Sequence, residues 1–191
     1  SGSGTEGWVS FDLVNERVGS NLDLDAGALR LRYDASAIGL PEFHMIKAGN
    51  GASDGDFSGD YIADGVLGIS LRINCSHAVA IRLYLHSNVT GRRWAYYVPP
   101  LPAGSWQTVF VPCAPEALQA LGGAPEFPEF EDDLESVAWI GIAVPRNPDK
   151  AAQSYRIDDV ELVGAGGGFG AWIAQFASGD GTLAGQDLDN V

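Results

Sequence analysis

The sequence predicts an all-β protein, a sandwich or a barrel built from many short strands. Short runs alternate apolar and polar residues at a period of two, which is the pattern of a strand with one buried and one wetter face. The 25 glycines and 10 prolines are spread along the chain and separate these runs, as turns between strands do. No internal repeat is visible in the sequence, which argues against a propeller or a solenoid.

About seven or eight strands can be counted from their own residue patterns. The clearest runs alternate aliphatic residues with Arg, Ser, Tyr or His, as in Ile69–Cys75 and Ile81–His86. In chain order, strands are expected at Trp8–Leu13, Ala28–Tyr33, Ile69–Cys75, Ile81–His86, Trp94–Val98, Gln107–Val111, Trp139–Val144 and Tyr155–Val163.

One short helix is expected between these strands, at Pro115–Leu121. Gly122 and Gly123 follow it directly, and glycine is the residue that most often ends a helix. The segment 125–133 contains two prolines among Glu, Asp and Phe, and such punctuation predicts an irregular acidic loop.

The size and composition of the chain fit one folded domain with short extensions. With 191 residues, 46% hydrophobic and 19% charged, the chain can bury a full core without a second domain. We expect residues 1–6 to be a linker or a remnant of cloning and residues 7–163 to form the sandwich. Residues 164–191 are expected to form a Gly-rich linker, a short amphipathic helix at Phe169–Phe176 and a truncated acidic tail.

The charge of the chain is strongly negative. Asp and Glu outnumber Lys and Arg by 25 to 11, which gives a formal net charge of -14. Such a surface repels nucleic-acid phosphates and anionic lipid headgroups, so we expect no nucleic-acid partner. No apolar run reaches the ~18 residues of a membrane helix, so no membrane insertion is expected either. The carboxylates suit calcium binding, and a simple role in solubility explains them equally well.

The two cysteines leave the question of a disulfide open. Cys75 and Cys113 each lie at the end of an expected strand, so one bridge is possible in an oxidising compartment. Neither belongs to a Cys-x-x-Cys motif or to a Cys/His cluster, so the sequence gives no support for zinc or thioredoxin-like chemistry.

Three segments carry a resemblance to a known family. The segment from Gly55 to Arg72, with Gly59-Asp60-Tyr61 inside it, resembles a signature of jelly-roll modules in large secreted bacterial proteins. The strand begun by Trp106 and the closing segment Tyr155–Leu162 resemble two further strands of these modules, so that the match covers roughly residues 7–163. These modules are similar to calcium-stabilised carbohydrate-binding modules and to the laminin IV type domain. The resemblance implies a two-sheet antiparallel β-sandwich, the jelly roll, in a secreted or cell-surface protein.

The same resemblance implies a structural calcium ion. In the resembling modules an aspartate of the closing strand binds calcium near the start of the chain, and Asp158 and Asp159 occupy that strand here. Calcium takes six to eight oxygens, so partners such as Glu6 and Asp12 must converge on the site. Alternatively, the two aspartates only blunt an edge strand with charge. The tail resembles the opening of a thrombospondin type-3 aspartate repeat and ends before that repeat is complete.

A second acidic segment also allows two interpretations. Asp54, Asp56 and Asp60 alternate with glycines, as in a loop that wraps calcium, although the spacing is not that of an EF-hand. Asp-Gly pairs are equally typical of plain turns.

The candidate ligand-binding residues lie opposite the aliphatic residues of their strands. Aromatic rings stack on the C–H face of a sugar, while Arg, His and Tyr bind hydroxyls or the charge of uronate and sulfate groups. If they cluster, their field could attract an anionic polysaccharide in spite of the global charge. Alternatively, the arginines are ordinary solvated residues and the tryptophan packs under Phe127 and Phe130. The candidates are Arg72, Arg82, Tyr84, His86 and Trp139.

The other aromatic residues are assigned mainly to the core. Trp8 and Trp106 are each expected to be buried, because their neighbours are apolar. The strand that contains Trp94, Tyr96 and Tyr97 must bury one of its two sides, and the sequence does not say which.

These observations predict a non-catalytic module that binds polysaccharide or another glycan, next to neighbouring domains of a parent protein. The first alternative is a structural or adhesive spacer without a glycan ligand. The second is a jelly-roll polysaccharide lyase, for which Arg82, Tyr84 and His86 have suitable side chains. The sequence contains no nucleophile elbow, HExxH motif or phosphate loop.

Overall fold

Strands dominate the structure, a computed structural model that describes residues 5, 7–12, 18–19, 21–33, 43–49, 55–121, 127–145 and 152–164. Within these residues the elements follow one another as β1 (Val9–Asp12), β2 (Val18–Gly19), β3 (Leu22–Asp25), β4 (Ala28–Tyr33), β5 (Phe43–Gly49), β6 (Val66–Cys75), β7 (Arg82–Ser87), β8 (Arg93–Tyr97), β9 (Trp106–Pro112), β10 (Gln119–Leu121), α1 (Phe127–Leu134), β11 (Val137–Pro145) and β12 (Gln153–Gly164).

The strands form two sheets, as the predicted fold class requires. One sheet has seven strands in the order β10-β8-β7-β11-β5-β1-β2, and the other has five in the order β3-β4-β12-β6-β9. Every pairing between neighbouring strands is antiparallel. The prediction of an all-β, two-sheet antiparallel sandwich with one short helix is therefore confirmed.

The core lies between the two sheets and follows the predicted alternation. In β6 the side chains of Ile69, Leu71 and Ile73 are at most 1% exposed, because every second residue of a strand points to the same side. In β11 Ile140 and Ile142 fill the same core from the opposite sheet. Truncation of one such aliphatic side chain to alanine typically destabilises a protein by about 2–5 kcal/mol.

Of the two tryptophans expected in the core, one lies there and the other does not. Trp8 is 5% exposed and meets Phe57 edge to face at 5.2 Å, so its assignment to the core is confirmed. Trp106 pairs with Asn74 on the outward side of the five-stranded sheet, and it is only partly buried. Its prediction as a core residue was wrong, because apolar neighbours do not determine which side of an edge strand faces inward.

The helix was predicted in the wrong segment. Residues 115–117 form a turn and Gln119–Leu121 is the short strand β10, whereas the segment expected to be an irregular loop contains α1. Phe130 and Leu134, four residues apart, bury one side of α1. The negative charge of Glu129, in the first turn, interacts favourably with the positive end of the helix dipole. Proline is also tolerated in the first turn of a helix.

The two cysteines do not form a bridge. Both are free thiols, and the backbone N–H of Cys113 donates to Leu67, near the opposite end of β6 from Cys75. Most of that ten-residue strand separates them, a distance of roughly 25 Å at the rise of an extended chain. Burial raises the pKa of the Cys75 thiol to about 11 and that of Cys113 to about 12, so neither is a reactive thiolate at neutral pH.

Most residues of the predicted linkers lie outside the described part of the chain. These are residues 1–4 and residue 6 of the N-terminal linker and residues 165–191 of the expected tail, with its helix and aspartate repeat. In the part of the chain that the structure describes, no helix is long and apolar enough to cross a membrane.

Candidate ligand-binding face

Four of the five predicted ligand residues share one surface. Arg82, Tyr84 and His86 lie on β7, and Trp139 lies on β11, the neighbouring strand of the seven-stranded sheet. They alternate with residues of the central core, so their side chains lie on the outer side of that sheet. Trp139 pairs directly with His86 across the two strands.

Arg72, the fifth predicted residue, lies on the other sheet, so the expectation that all five share one face was wrong. In β6 of the five-stranded sheet its guanidinium lies 3.0 Å from the Asp159 carboxylate and 5.1 Å from the Trp106 ring centre. Alternation along a strand gives the side on which a residue lies. It does not give the sheet to which the strand belongs.

Trp139 is the central aromatic residue of the outer surface of the seven-stranded sheet. Its indole stacks on the His86 ring at 4.7 Å and an interplanar angle of 14°. The alternative packing under Phe130 is not observed, because Phe130 meets Trp94 edge to face at 4.6 Å on the other side of the sheet. A β-bulge between Val137 and Trp139 lets Val137 enter the core while Trp139 stays outside.

Gly141 makes room for this arrangement. A methyl group at Gly141 would lie 2.8 Å from Cγ of Met45 and 3.1 Å from Cζ3 of Trp139, and closer still to the sulfur of Met45. Only glycine therefore lets the Met45 side chain and the indole lie this close to the sheet. Met45 is fully buried and Trp139 is 8% exposed.

Three residues that sequence reasoning did not select complete the surface. The Nζ atom of Lys47 lies 4.7 Å from the centre of the Trp139 ring, and the Arg93 guanidinium lies 6.0 Å from it. The Arg82 guanidinium lies 5.0 Å over the ring of Tyr97. We refer to the Trp139 face as the set Lys47, Arg82, Tyr84, His86, Arg93, Tyr97 and Trp139.

Strand register accounts for the layout of the Trp139 face. Residues that pair across antiparallel strands point to the same side, so His86 lies between Arg93 and Trp139, and Arg82 lies beside Tyr97. Tyr84 lies in the row between these two and is 3% exposed. Tyr97, at 45%, is the most exposed aromatic residue of the set. A ligand can therefore contact Tyr97 and the cationic groups, while Tyr84 and Trp139 support them from below.

Three cationic side chains lie close together on the face of a protein that is negative overall. Burial lowers the pKa of His86, and the nearby charges of Arg93 and Lys47 lower it further, against a smaller opposing effect of Asp133. Burial, followed by the charge of Arg93, also lowers the pKa of Lys47. Cations brought this close disfavour one another's charged forms, so a bound anion would relieve the repulsion.

The outer surface of the five-stranded sheet carries arginines that pair with aspartates. Asp23 lies 2.9 Å from Arg30 and 2.6 Å from Arg32, while Asp25 pairs with Arg30 and with Arg156. The hydrogen bond from Arg30 is the main reason that the pKa of Asp23 is lowered. These arginines form ion pairs within their own sheet.

The predicted calcium residues are only partly within the described chain. Asp158 accepts a hydrogen bond from the backbone N–H of Asp159 at 3.0 Å, and the Asp159 carboxylate pairs with Arg72. Both aspartates line a cavity of about 240 Å³ together with Thr5 and Trp8, residues near the start of the chain. The described residues contain no cluster of three or more His, Cys, Asp or Glu that could hold a metal ion.

The remaining predicted carboxylates lie in segments that the structure describes incompletely. Glu6, Asp54 and the side chain of Asp12 lie outside the described part. Asp60 accepts a hydrogen bond from the backbone N–H of Ala63 at 2.8 Å, as an aspartate in a turn does.

Comparison with known proteins identifies solved structures that have a similar fold. No family model and no curated protein matches the sequence. The L4b domain of human laminin alpha-2 is similar in structure, with a TM-score of 0.62 and 10% identity over 85% of this chain and 94% of that chain. The Family 11 carbohydrate-binding module from Clostridium thermocellum, solved with a β-1,3-1,4-mixed-linked tetrasaccharide, has a TM-score of 0.53 and 20% identity over 83% and 89% of the two chains.

An exo-β-agarase is similar as well, with a TM-score of 0.53 and 12% identity. The match covers 83% of this chain and 25% of that chain. At this low sequence identity, the similarity to these structures shows a shared fold. The chain therefore has the jelly-roll sandwich found in carbohydrate-binding modules and in a laminin domain.

Proposed function

We propose that the chain is a non-catalytic carbohydrate-binding domain of a secreted or cell-surface protein and that it binds a glycan on the Trp139 face. The observation that carries the proposal is the grouping of aromatic rings with Lys47, Arg82 and Arg93 on the outer side of central strands. Aromatic rings contact the C–H face of a sugar, and guanidinium groups bind its oxygens in pairs. Strands hold these groups more rigidly than loops would.

The similar structures support the proposal at the level of the fold. One of them, a Family 11 module, was solved with a tetrasaccharide. In the exo-β-agarase the matched part is a quarter of the chain, which fits a domain that accompanies other domains. Such a setting supports the further proposal that neighbouring domains of a parent protein are partners of this one.

Affinity electrophoresis in gels that contain individual polysaccharides tests this function. We expect at least one polysaccharide to retard the wild-type domain, and Tyr97→Ala to lose most of that retardation because Tyr97 is the exposed ring of the face. Trp106→Ala is the matched control, since Trp106 is a partly buried aromatic residue on the opposite sheet. Retardation by no glycan would favour the spacer alternative, and equal loss in both variants would remove the Trp139 face from the proposal.

The lyase alternative receives less support from the geometry. Its general acid or base would be Tyr84 or His86, and Tyr84 is 3% exposed under its neighbours. A proton donor must come within hydrogen-bond reach of the substrate, which a covered phenol does not do without rearrangement. Release of unsaturated products from polyuronates, seen as new ultraviolet absorbance, would overturn the non-catalytic proposal.

We also propose a structural calcium ion at the cavity lined by Thr5, Asp158 and Asp159. Calcium takes six to eight oxygens, and Asp159 is already paired with Arg72, so the site depends on Glu6 and Asp12. Binding to the folded state alone would stabilise the domain. We expect a chelator to lower the melting temperature of the wild type and to leave the melting temperature of Asp158→Asn unchanged. If the chelator leaves the melting curve of the wild type unchanged, the proposed calcium site is contradicted.

A further inference from the structure

The four ring residues of the Trp139 face are not equally accessible to a ligand. Tyr84 and Trp139 are buried. Tyr97 is exposed, and His86 is partly exposed. The Arg82 guanidinium lies over one side of the Tyr97 ring, and the Trp139 indole lies against one side of the His86 ring. A sugar can therefore meet the rings of Tyr97 and His86, each from its other side.

The register of β7 and β8 sets the distance between these two rings. His86 pairs with Arg93 and Arg82 pairs with Tyr97, so the two ring residues lie on neighbouring strands and are offset by four residues along them. At the rise of an extended chain this offset is about 13 Å, and the spacing between the strands adds about 5 Å at right angles to it. The Cα atoms of Tyr97 and His86 are therefore roughly 14 Å apart, on a line close to the direction of the strands.

Buried residues separate the two rings. Tyr84 and Ala95 pair with each other in the row between them, and neither is accessible enough to offer a ligand much surface. A pyranose ring is about as wide as the ~5 Å between neighbouring strands. A single sugar thus cannot meet both Tyr97 and His86, and a sugar above the middle row has less aromatic surface to contact than a sugar at either end.

We infer that the Trp139 face binds a linear glycan of about four sugar units, which lies along β7 and β8 with one sugar on Tyr97 and another on His86. The inference rests on the proposed function and adds the length and the direction of the ligand. About three steps of a sugar chain span the roughly 14 Å between the two residues, so two further sugars lie between those that meet a ring. Once one end is bound, the contact at the other end is intramolecular, so the affinity rises when the chain is long enough to reach both rings.

The other possible direction of the glycan crosses the strands. Leu121 pairs with Arg93, which pairs with His86, so these residues form a row across β10, β8 and β7. Leu121 is exposed on the same side of the sheet, but it offers an aliphatic contact, whereas Tyr97 offers a ring that matches the flat C–H face of a sugar. The line through Tyr97 is therefore favoured, and Leu121 is the residue that tests the direction.

A series of ligand lengths tests the inferred size. The probes are mixed-linked β-glucan, agarose and alginate, together with their oligosaccharides of two, four and six sugar units, and binding is measured by titration calorimetry. We expect at least one series to bind, with an affinity that rises about tenfold or more from two units to four and less than about threefold from four units to six. Equal affinities for two and four units, or an equally large second rise, would overturn the inferred length and leave glycan binding intact.

Three variants test the inferred direction. Tyr97→Ala and His86→Ala should each lower the affinity for the four-unit ligand about fivefold or more and remove the gain from two units to four. Leu121→Ala is the matched control, because Leu121 is also exposed on this side of the sheet but lies off the line between the two rings. Near-ultraviolet circular dichroism verifies that each variant keeps its fold. Loss of the gain in Leu121→Ala with its retention in Tyr97→Ala would show that the glycan crosses the strands and would overturn the inference.

Two further outcomes separate this inference from the proposed function. No binding of any of the three polysaccharides or their oligosaccharides would overturn both. Retention of the full gain in all three variants would show that the glycan binds away from the Trp139 face, and it would overturn the inference together with the proposed location of binding.

Discussion

Replacement of Gly141 by alanine should loosen the Trp139 face, and the structure gives the size of the effect. The new methyl group would lie 2.8 Å from Cγ of Met45 and 3.1 Å from Cζ3 of Trp139. Met45 is fully buried, so its side chain has no open space into which to move, although methionine adapts through its rotatable bonds. We therefore expect a loss of about 1–2 kcal/mol, in the lower part of the range for overpacked cores.

Two other glycines supply internal comparisons. A methyl group at Gly68 would lie 2.5 Å from Cε2 of Phe110 and 2.6 Å from the carbonyl oxygen of Val111. A backbone carbonyl cannot rotate away, so Gly68→Ala should cost more, about 2–3 kcal/mol. At Gly49 the nearest atoms lie at 3.5 Å, an ordinary contact, so Gly49→Ala should stay within about 0.5 kcal/mol.

Thermal unfolding and glycan affinity together test this reasoning. For a protein of this size, 1 kcal/mol corresponds to roughly 2–4 °C in melting temperature. The melting temperatures should therefore fall in the order Gly49→Ala, Gly141→Ala, Gly68→Ala. Only Gly141→Ala should also weaken binding of the polysaccharide, because Gly68 lies on the opposite sheet. A Gly141→Ala variant with the stability and affinity of Gly49→Ala would refute the account of the Trp139 face.

Three further outcomes follow from charges and hydrogen bonds. Because burial, and after it the charges of Arg93 and Lys47, lower the pKa of His86, the folded protein holds this histidine neutral to lower pH than the unfolded chain does. Its contribution to stability therefore declines as the pH falls through about 6.5. His86→Gln should flatten this dependence of stability on pH, measured by chemical denaturation between about pH 8 and about pH 5.5, and an unchanged dependence would contradict the effect of His86. Trp94→Phe removes the hydrogen bond of 2.8 Å from Nε1 to the Asp133 carboxylate, which is 1% exposed, so chemical denaturation should show a loss of about 1–3 kcal/mol. Asp133→Asn in the Trp94→Phe background should recover part of this loss, and full stability of Trp94→Phe would contradict the role of the bond. Cys75, which is 1% exposed, should resist a thiol reagent in the native protein and react after unfolding, whereas fast native labelling of Cys75 would contradict its burial.

The sequence predicted what depends on local alternation. The period of two placed Arg82, Tyr84 and His86 opposite Leu83 and Leu85, and the structure agrees because each strand has one side in the core. The same signal could not place Arg72, since the pairing of β6 with β9 and β12 involves residues distant in sequence. Such long-range contacts decide which sheet a strand joins, and the residue pattern of the strand alone does not reveal it.

Among the elements that the sequence analysis missed, β5 and α1 show how tertiary contacts override weak local signals. Strand β5 has little alternation that marks it as a strand, and it forms because β1 and β11 pair with it on either side. Lys47 and its contact with Trp139 were missed with it. Helix α1 begins in a Pro-rich acidic segment, and burial of Phe130 against Trp94 favours it. The spacing of Phe130, Asp133 and Leu134 on one side was the available signal.

The two outer surfaces of the sandwich share one kind of contact. Arg72 lies over Trp106, and Arg93 lies over Trp139, so a cation above an indole is common to both sheets. The surfaces differ in their carboxylates, because β12 brings Asp159 to Arg72, whereas the five strands around Trp139 contain no acidic residue. The pairing of β12 with β6 therefore explains why Arg72 has a carboxylate beside it, and neither strand shows this by its own residue pattern.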